Sequence, residues 1–123
     1  MLIRRIGSVP RNERGAGQVS PLLLGLPDDD YPMTITIVEA APGSQQPLHA
    51  HTVSTQIYLV TQGSGRMIVD DEEADVTSGD MVCVPPGAQH AIRNTGDGAL
   101  TYVSATTPPF PAHVDGSTWQ PAD

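Results

Sequence analysis

Apolar and polar residues alternate along this chain over short runs, and no stretch of eleven or more residues carries the three-to-four spacing of an amphipathic helix. Runs rich in Val, Ile, Thr and Tyr predict strands over Thr34–Glu39, Leu48–His51, Thr55–Val60, Arg66–Asp70, Met81–Val84, His90–Asn94 and Leu100–Ala105. Turn chemistry separates them: Pro42-Gly43, Gly63-Ser64-Gly65, Ser78-Gly79-Asp80, Pro85-Pro86-Gly87 and Asp97-Gly98, where proline fixes φ or glycine supplies a positive one. So many short strands, packed into about seventy residues, point to an all-β sandwich or small barrel.

The two ends differ from this centre. Residues 1–30 hold Arg4, Arg5, Arg11 and Arg14, then Leu22-Leu23-Leu24 and Asp28-Asp29-Asp30, and read as an irregular arm or an added edge strand. Residues 34–105 form the barrel core, and residues 106–123, with four prolines plus Phe110, His113 and Trp119, form a tail without a core of its own. The acidic runs Asp28–Asp30 and Asp70–Glu73 fall at expected turns and read as solvated loop tips.

At 123 residues the chain is one domain. Its net charge of −8 repels phosphate backbones and anionic lipid, so nucleic-acid and membrane-surface roles are disfavoured. Met1-Leu2-Ile3-Arg4-Arg5 lacks the apolar run and cleavage site of a secretion signal, which makes the cytoplasm the expected location. The single cysteine, Cys83, cannot form an internal disulfide and reads as a small buried hydrophobe.

Three of the four histidines sit in two compact segments, Leu48-His49-Ala50-His51 and Gln89-His90-Ala91. On a strand His49 and His51 project from one face, so both imidazoles reach a common point about 2 Å from their nitrogens. Gln56 and Tyr58 share a face on the next strand, and a hairpin between the two strands would bring the Gln56 carbonyl oxygen to the histidine pair. With His90 from a separate strand, three imidazoles and one amide form a ligand set suited to a divalent transition metal rather than calcium or magnesium.

In these residues the sequence resembles the cupins, small β-barrels with a metal in the cup. The first cupin motif, G-x5-H-x-H-x3-4-E-x6-G, is matched by Gly43, His49, His51 and Gly63, with Gln56 where the family usually has glutamate. The second, G-x5-P-x-G-x2-H-x3-N, is matched by Gly79, Pro85, Gly87, His90 and Asn94. The resemblance implies a double-stranded β-helix of the jelly-roll class, metal ligation by His49, His51, Gln56 and His90, and a homodimer. The ion would be one of Zn, Fe, Mn, Ni, Co or Cu.

Glutamine in place of glutamate leaves a divalent ion its full charge among neutral ligands, which predicts looser binding and a stronger Lewis acid. Some cupins that keep glutamine among the ligands are isomerases or cyclases of natural-product pathways. The first functional expectation is therefore non-redox isomerisation, cyclisation or dehydration of a small oxygenated molecule, with Tyr58 as the group that moves a proton. A cupin dioxygenase with a redox-active ion and a non-catalytic ligand-binding cupin are the alternatives. Gln56 also reads as a structural amide beside a three-histidine site, and Tyr58 as a side chain that fills the barrel. Arg14, Gln18, Phe110, His113 and Trp119 can close over the mouth of the cup or bury themselves against a second subunit. Arg66 reads as an outward strand residue in a surface ion pair.

Overall fold

In the computed structural model, which describes residues 1–15 and 17–122, the chain folds into two antiparallel-dominated sheets packed face to face. In chain order the strands are β1 (Arg11–Arg14), β2 (Gln18–Leu24), β3 (Thr34–Ala40), β4 (Thr55–Gln62), β5 (Ser64–Val69), β6 (Glu72–Thr77), β7 (Met81–Val84), β8 (His90–Asn94), β9 (Leu100–Thr107), β10 (Ala112–Asp115) and β11 (Thr118–Pro121). The larger sheet has eight of them in the order β10-β11-β1-β2-β3-β9-β4-β7, and the smaller has three in the order β6-β5-β8. This is the jelly-roll barrel expected of the sequence. Among the described residues no helix is long and apolar enough to cross a membrane.

The period of two that predicts the strands also divides the barrel interior. On β3 the inward residues are Thr34, Thr36, Val38 and Ala40, on β9 Leu100, Tyr102, Ser104 and Thr106, and on β4 Gln56, Tyr58 and Val60. Register sets Thr36 beside Ser104 and Val38 beside Tyr102, and Gln56 beside Thr106. One end of the interior is thus polar and the other apolar. The apolar end carries the core around Val60, Met67, Ile92 and Leu100. Tyr58 and Tyr102 are fully buried there, each removing roughly 150–250 Å² from water.

Several expectations need correction. Leu48–His51 is not a strand: Gln45 bridges Arg93 and His49 bridges His90, so one extra residue bulges out around Pro47, which has no amide to give to a ladder. The expected hairpin with Thr55–Val60 does not form either, because β4 is flanked by β9 and β7. Gly63 turns alone and Ser64 already belongs to β5; a Cβ at Gly63 would stand 2.4 Å from the Ala99 carbonyl oxygen and its φ is +86°. The acidic run at Asp70 turns at Asp70-Asp71, but Glu72 and Glu73 begin β6.

The ends are integral to the larger sheet. Residues of the predicted arm form β1 and β2, and the tail forms a hairpin, β10 and β11, whose second strand pairs parallel to β1 at Arg11 and Thr118. Trp119 is 2% exposed and its indole N–H donates to the Ser20 carbonyl at 2.6 Å. Asp29 is no solvated tip: its carboxylate accepts both Arg4 Nη1 and Nη2 at 2.6 Å and the amides of Gly25 and Leu26 at 2.9 Å. Cys83 is exposed rather than buried, because Val82 and Val84 take the inward positions on β7 and alternation turns the thiol out. Arg66 forms the expected surface pair, at 3.0 Å from Asp75.

Candidate metal centre

The bulge at Pro47 sets the site. His49 and His90 exchange both backbone hydrogen bonds, at 3.1 and 2.8 Å, so their side chains leave the same face of the bridge and their rings lie 4.1 Å apart. His51, two residues on, is held by the Pro85-Pro86-Gly87 turn, where the Gly87 amide donates to the His51 carbonyl at 2.8 Å. One cupin motif thereby fixes the histidine of the other. One ring nitrogen from each of His49, His51 and His90 lies within 4.8 Å of the other two, an arrangement that can hold a metal ion.

Hydrogen bonds behind the rings decide which nitrogens face the cavity. His49 Nδ1 is 2.9 Å from the Pro47 carbonyl and His90 Nδ1 is 3.0 Å from that of Ala88. A carbonyl only accepts, so both Nδ1 atoms carry the proton and a neutral ring must present the Nε2 lone pair. Burial holds the His90 pKa below the usual imidazole value, with the neighbouring His49 and His51 pushing the same way. Neutral imidazoles with carbonyl-bound N–H groups are the donor set that a transition ion takes.

Gln56 reaches this cluster across the barrel from β4. Its Nε2 donates to Ser104 Oγ at 2.8 Å, and its Oε1 points at His90 Nε2 at 2.9 Å. Two acceptors so oriented face each other, which suits a cation shared between them. Tyr58 lies one layer deeper. Its hydroxyl donates to Gln46 Oε1 at 3.1 Å, and its ring meets His90 edge-on at 5.9 Å. Burial raises the Tyr58 pKa well above the usual phenol value, so the group stays protonated.

The site opens into a cavity of about 200 Å³ lined by Arg14, Thr36, Val38, Gln46, His49, Ala50, His51, Gln56, Tyr102, Ser104, Phe110 and Pro121. Tyr58 is outside this lining, behind Gln46. Of the tail residues, Phe110 stacks on His51 with centroids 5.3 Å apart, whereas His113 is exposed on β10 and outside the histidine cluster. Gln46, Tyr102 and Ser104 were not singled out by the sequence. The signal for Tyr102 and Ser104 was their shared parity on β9.

A three-imidazole cup inside a jelly-roll barrel defines a class, and the comparisons place the chain within it. A sequence profile of the cupin domain matches residues 36–106, and the chain belongs to that family. It is 37% identical over 73 residues to the uncharacterized protein MJ1618 of Methanocaldococcus jannaschii, a match covering 59% of this chain and 58% of the archaeal protein. With the protein SchB of Streptomyces halstedii the identity is 29% over 111 residues, covering 87% and 80% of the two chains. In three dimensions the chain superimposes on a predicted oxalate decarboxylase from Thermotoga maritima with a TM-score of 0.79 at 19% identity, covering 87% and 99%.

Proposed function

We propose that this cupin is a metal-dependent enzyme that rearranges, cyclises or dehydrates a small oxygenated molecule without net redox change. The observation that carries the proposal is the donor set: the Nε2 atoms of His49 and His90 turned inward by the carbonyl partners of their Nδ1 atoms, with His51 and the Gln56 oxygen beside them. Among the described residues, those lining the cavity include no Asp or Glu. Held by His49, His51, His90 and Gln56, a divalent ion would supply an undiminished Lewis acid to polarise a substrate oxygen.

The chain's own residues supply the rest. Ser104 fixes the Gln56 amide, and Tyr58 fixes Gln46 at the cavity wall, which makes Tyr58 a positioning residue held in its protonated form. Phe110 stacks over His51 and narrows access to the cup. A cavity of about 200 Å³ suits a small molecule or one end of a larger one. The exposed Met1, Leu2, Ile3 and Ile6 support a homodimer formed through the N-terminal segment, in a cytoplasmic protein.

The test is elemental analysis of protein purified without tag or chelator, beside the His49→Ala variant. Near one equivalent of zinc in the parent and loss of it in a folded His49→Ala supports the proposal. Full occupancy retained in the variant overturns the ligand set, and a redox ion with oxygen consumption on a catechol or diketone would shift the chemistry to a dioxygenase.

A further inference from the structure

In the same cavity as the histidines, the wall carries two polar groups that the metal site leaves unused. Tyr102 is fully buried and its hydroxyl has no hydrogen-bond partner; the Nε of Arg14 is likewise buried and unpartnered. A buried phenol without a partner is unfavourable, and a buried guanidinium N–H without one more so. Both residues line the same cavity as His49 and His51. Such a cost is relieved when a ligand supplies the acceptor.

Arg14 is held in place without being neutralised. It lies at the end of β1 with its guanidinium carbon 5.6 Å from the centre of the Trp119 ring, and its Nη2 makes one long contact, 3.4 Å, to Ser20 Oγ. Among the described residues no carboxylate pairs with it. A chain of net charge −8 thus keeps an unpaired cation facing a cavity whose lining contains no acid. Nε and Nη2 lie on one edge of the guanidinium, the edge that grips a planar carboxylate with two parallel bonds.

We propose that Arg14 and Tyr102 form a carboxylate-binding subsite, so that the substrate is a small organic acid anchored in the same cup as the histidines. The Arg14 edge takes the two carboxylate oxygens, and the Tyr102 hydroxyl donates to one of them. Burial keeps the Tyr102 phenol protonated and therefore a donor. The subsite stands on its own atoms. That the acid's other oxygen function lies at the metal rests on the function proposed above, and it excludes long acids, because one cavity of about 200 Å³ must hold both ends.

Calorimetric titration of the full chain with benzoate, and with benzyl alcohol as its neutral counterpart, tests this. Benzoate should bind at least about tenfold more tightly than the alcohol. Arg14→Met should erase that preference, Tyr102→Phe should weaken benzoate by about three- to tenfold, and His49→Ala should leave benzoate binding within about twofold. Equal binding of acid and alcohol, or benzoate binding unchanged in Arg14→Met, overturns the subsite. If binding is instead lost in His49→Ala and kept in Arg14→Met, the carboxylate sits on the histidine cluster; the subsite is then wrong while the metal proposal survives. Should Arg14→Met not fold, Tyr102→Phe decides: an undiminished preference for benzoate overturns the proposal.

Discussion

Acidification should release the contact between Arg4 and Asp29 before anything in the core responds. The Asp29 side chain is 8% exposed. Hydrogen bonding from Arg4, then from the Gly25 and Leu26 amides, outweighs burial and holds its pKa at about 2, against about 3.9 in an unfolded chain. Because the folded value is depressed, the unfolded chain takes up this proton first as the pH falls. The stabilisation is therefore complete above about pH 5 and is lost progressively toward pH 2. The full linkage is about 2.5 kcal/mol, and with Arg4 22% exposed, salt screening reduces it to roughly 1–2 kcal/mol. Asp29→Asn keeps acceptors for the two amides and loses the charge. At pH 7 it should melt roughly 4–8 °C below the parent, and the gap should shrink to roughly a third of that by pH 2.5 when melting is followed by circular dichroism at constant ionic strength. A gap that stays constant from pH 7 to pH 2.5 would refute the linkage and assign the loss to packing. The contact also matters for the site: it ties the first residues to the end of β2, beside the strand that carries Arg14.

Gln56→Glu adds a negative ligand at the same position and should tighten zinc binding by roughly tenfold or more, as read by competition with a chromophoric chelator. No gain would mean that the amide only braces His90. Tyr58→Phe strands the Gln46 oxygen and should cost about 1–3 kcal/mol of stability while the metal stoichiometry holds; an unchanged melting temperature would show that Gln46 does not depend on the phenol. Trp119→Phe removes the bond to Ser20 and should destabilise by about 1–3 kcal/mol, with proteinase K cutting the 107–118 segment faster than in the parent. Equal cleavage rates would show that β11 docks without the indole.

What could be read from the chain follows from how far each feature depends on distant pairing. Met81–Val84 and His90–Asn94 match the expected strands to the residue, because period-two alternation and flanking Gly and Pro turns are local signals. The three histidines were legible for a similar reason, since motif spacing encodes them directly. The strands β1, β10 and β11 were not: β1, Arg-Asn-Glu-Arg, has no apolar position to alternate, β10 and β11 sit among prolines, and β1 finds β11 across more than a hundred positions of chain. Asp29 was misread because its partner, Arg4, lies twenty-five residues away in an arm with no period.

The metal-side residues emerged from the sequence, whereas Tyr102 did not and Arg14 did only as a residue able to close over the cup. His49, His51 and His90 are chemically conspicuous wherever they fall. Tyr102 and Arg14 acquire meaning only once register sets Tyr102 on the inward row of β9 and the β1–β2 pairing brings Arg14 over the same cavity. Along β3, β9 and β4 one inward row runs from polar to apolar, so a single alternating pattern encodes both a core and a cup. Where the row changes, at Val38 beside Tyr102, a phenol is buried among apolar neighbours with its hydroxyl unspent. A tyrosine that merely filled the barrel would gain from losing that hydroxyl, so Tyr102→Phe should stabilise the ligand-free protein while it weakens benzoate binding. A destabilised Tyr102→Phe would instead place the hydroxyl in the structural network and remove it from the subsite.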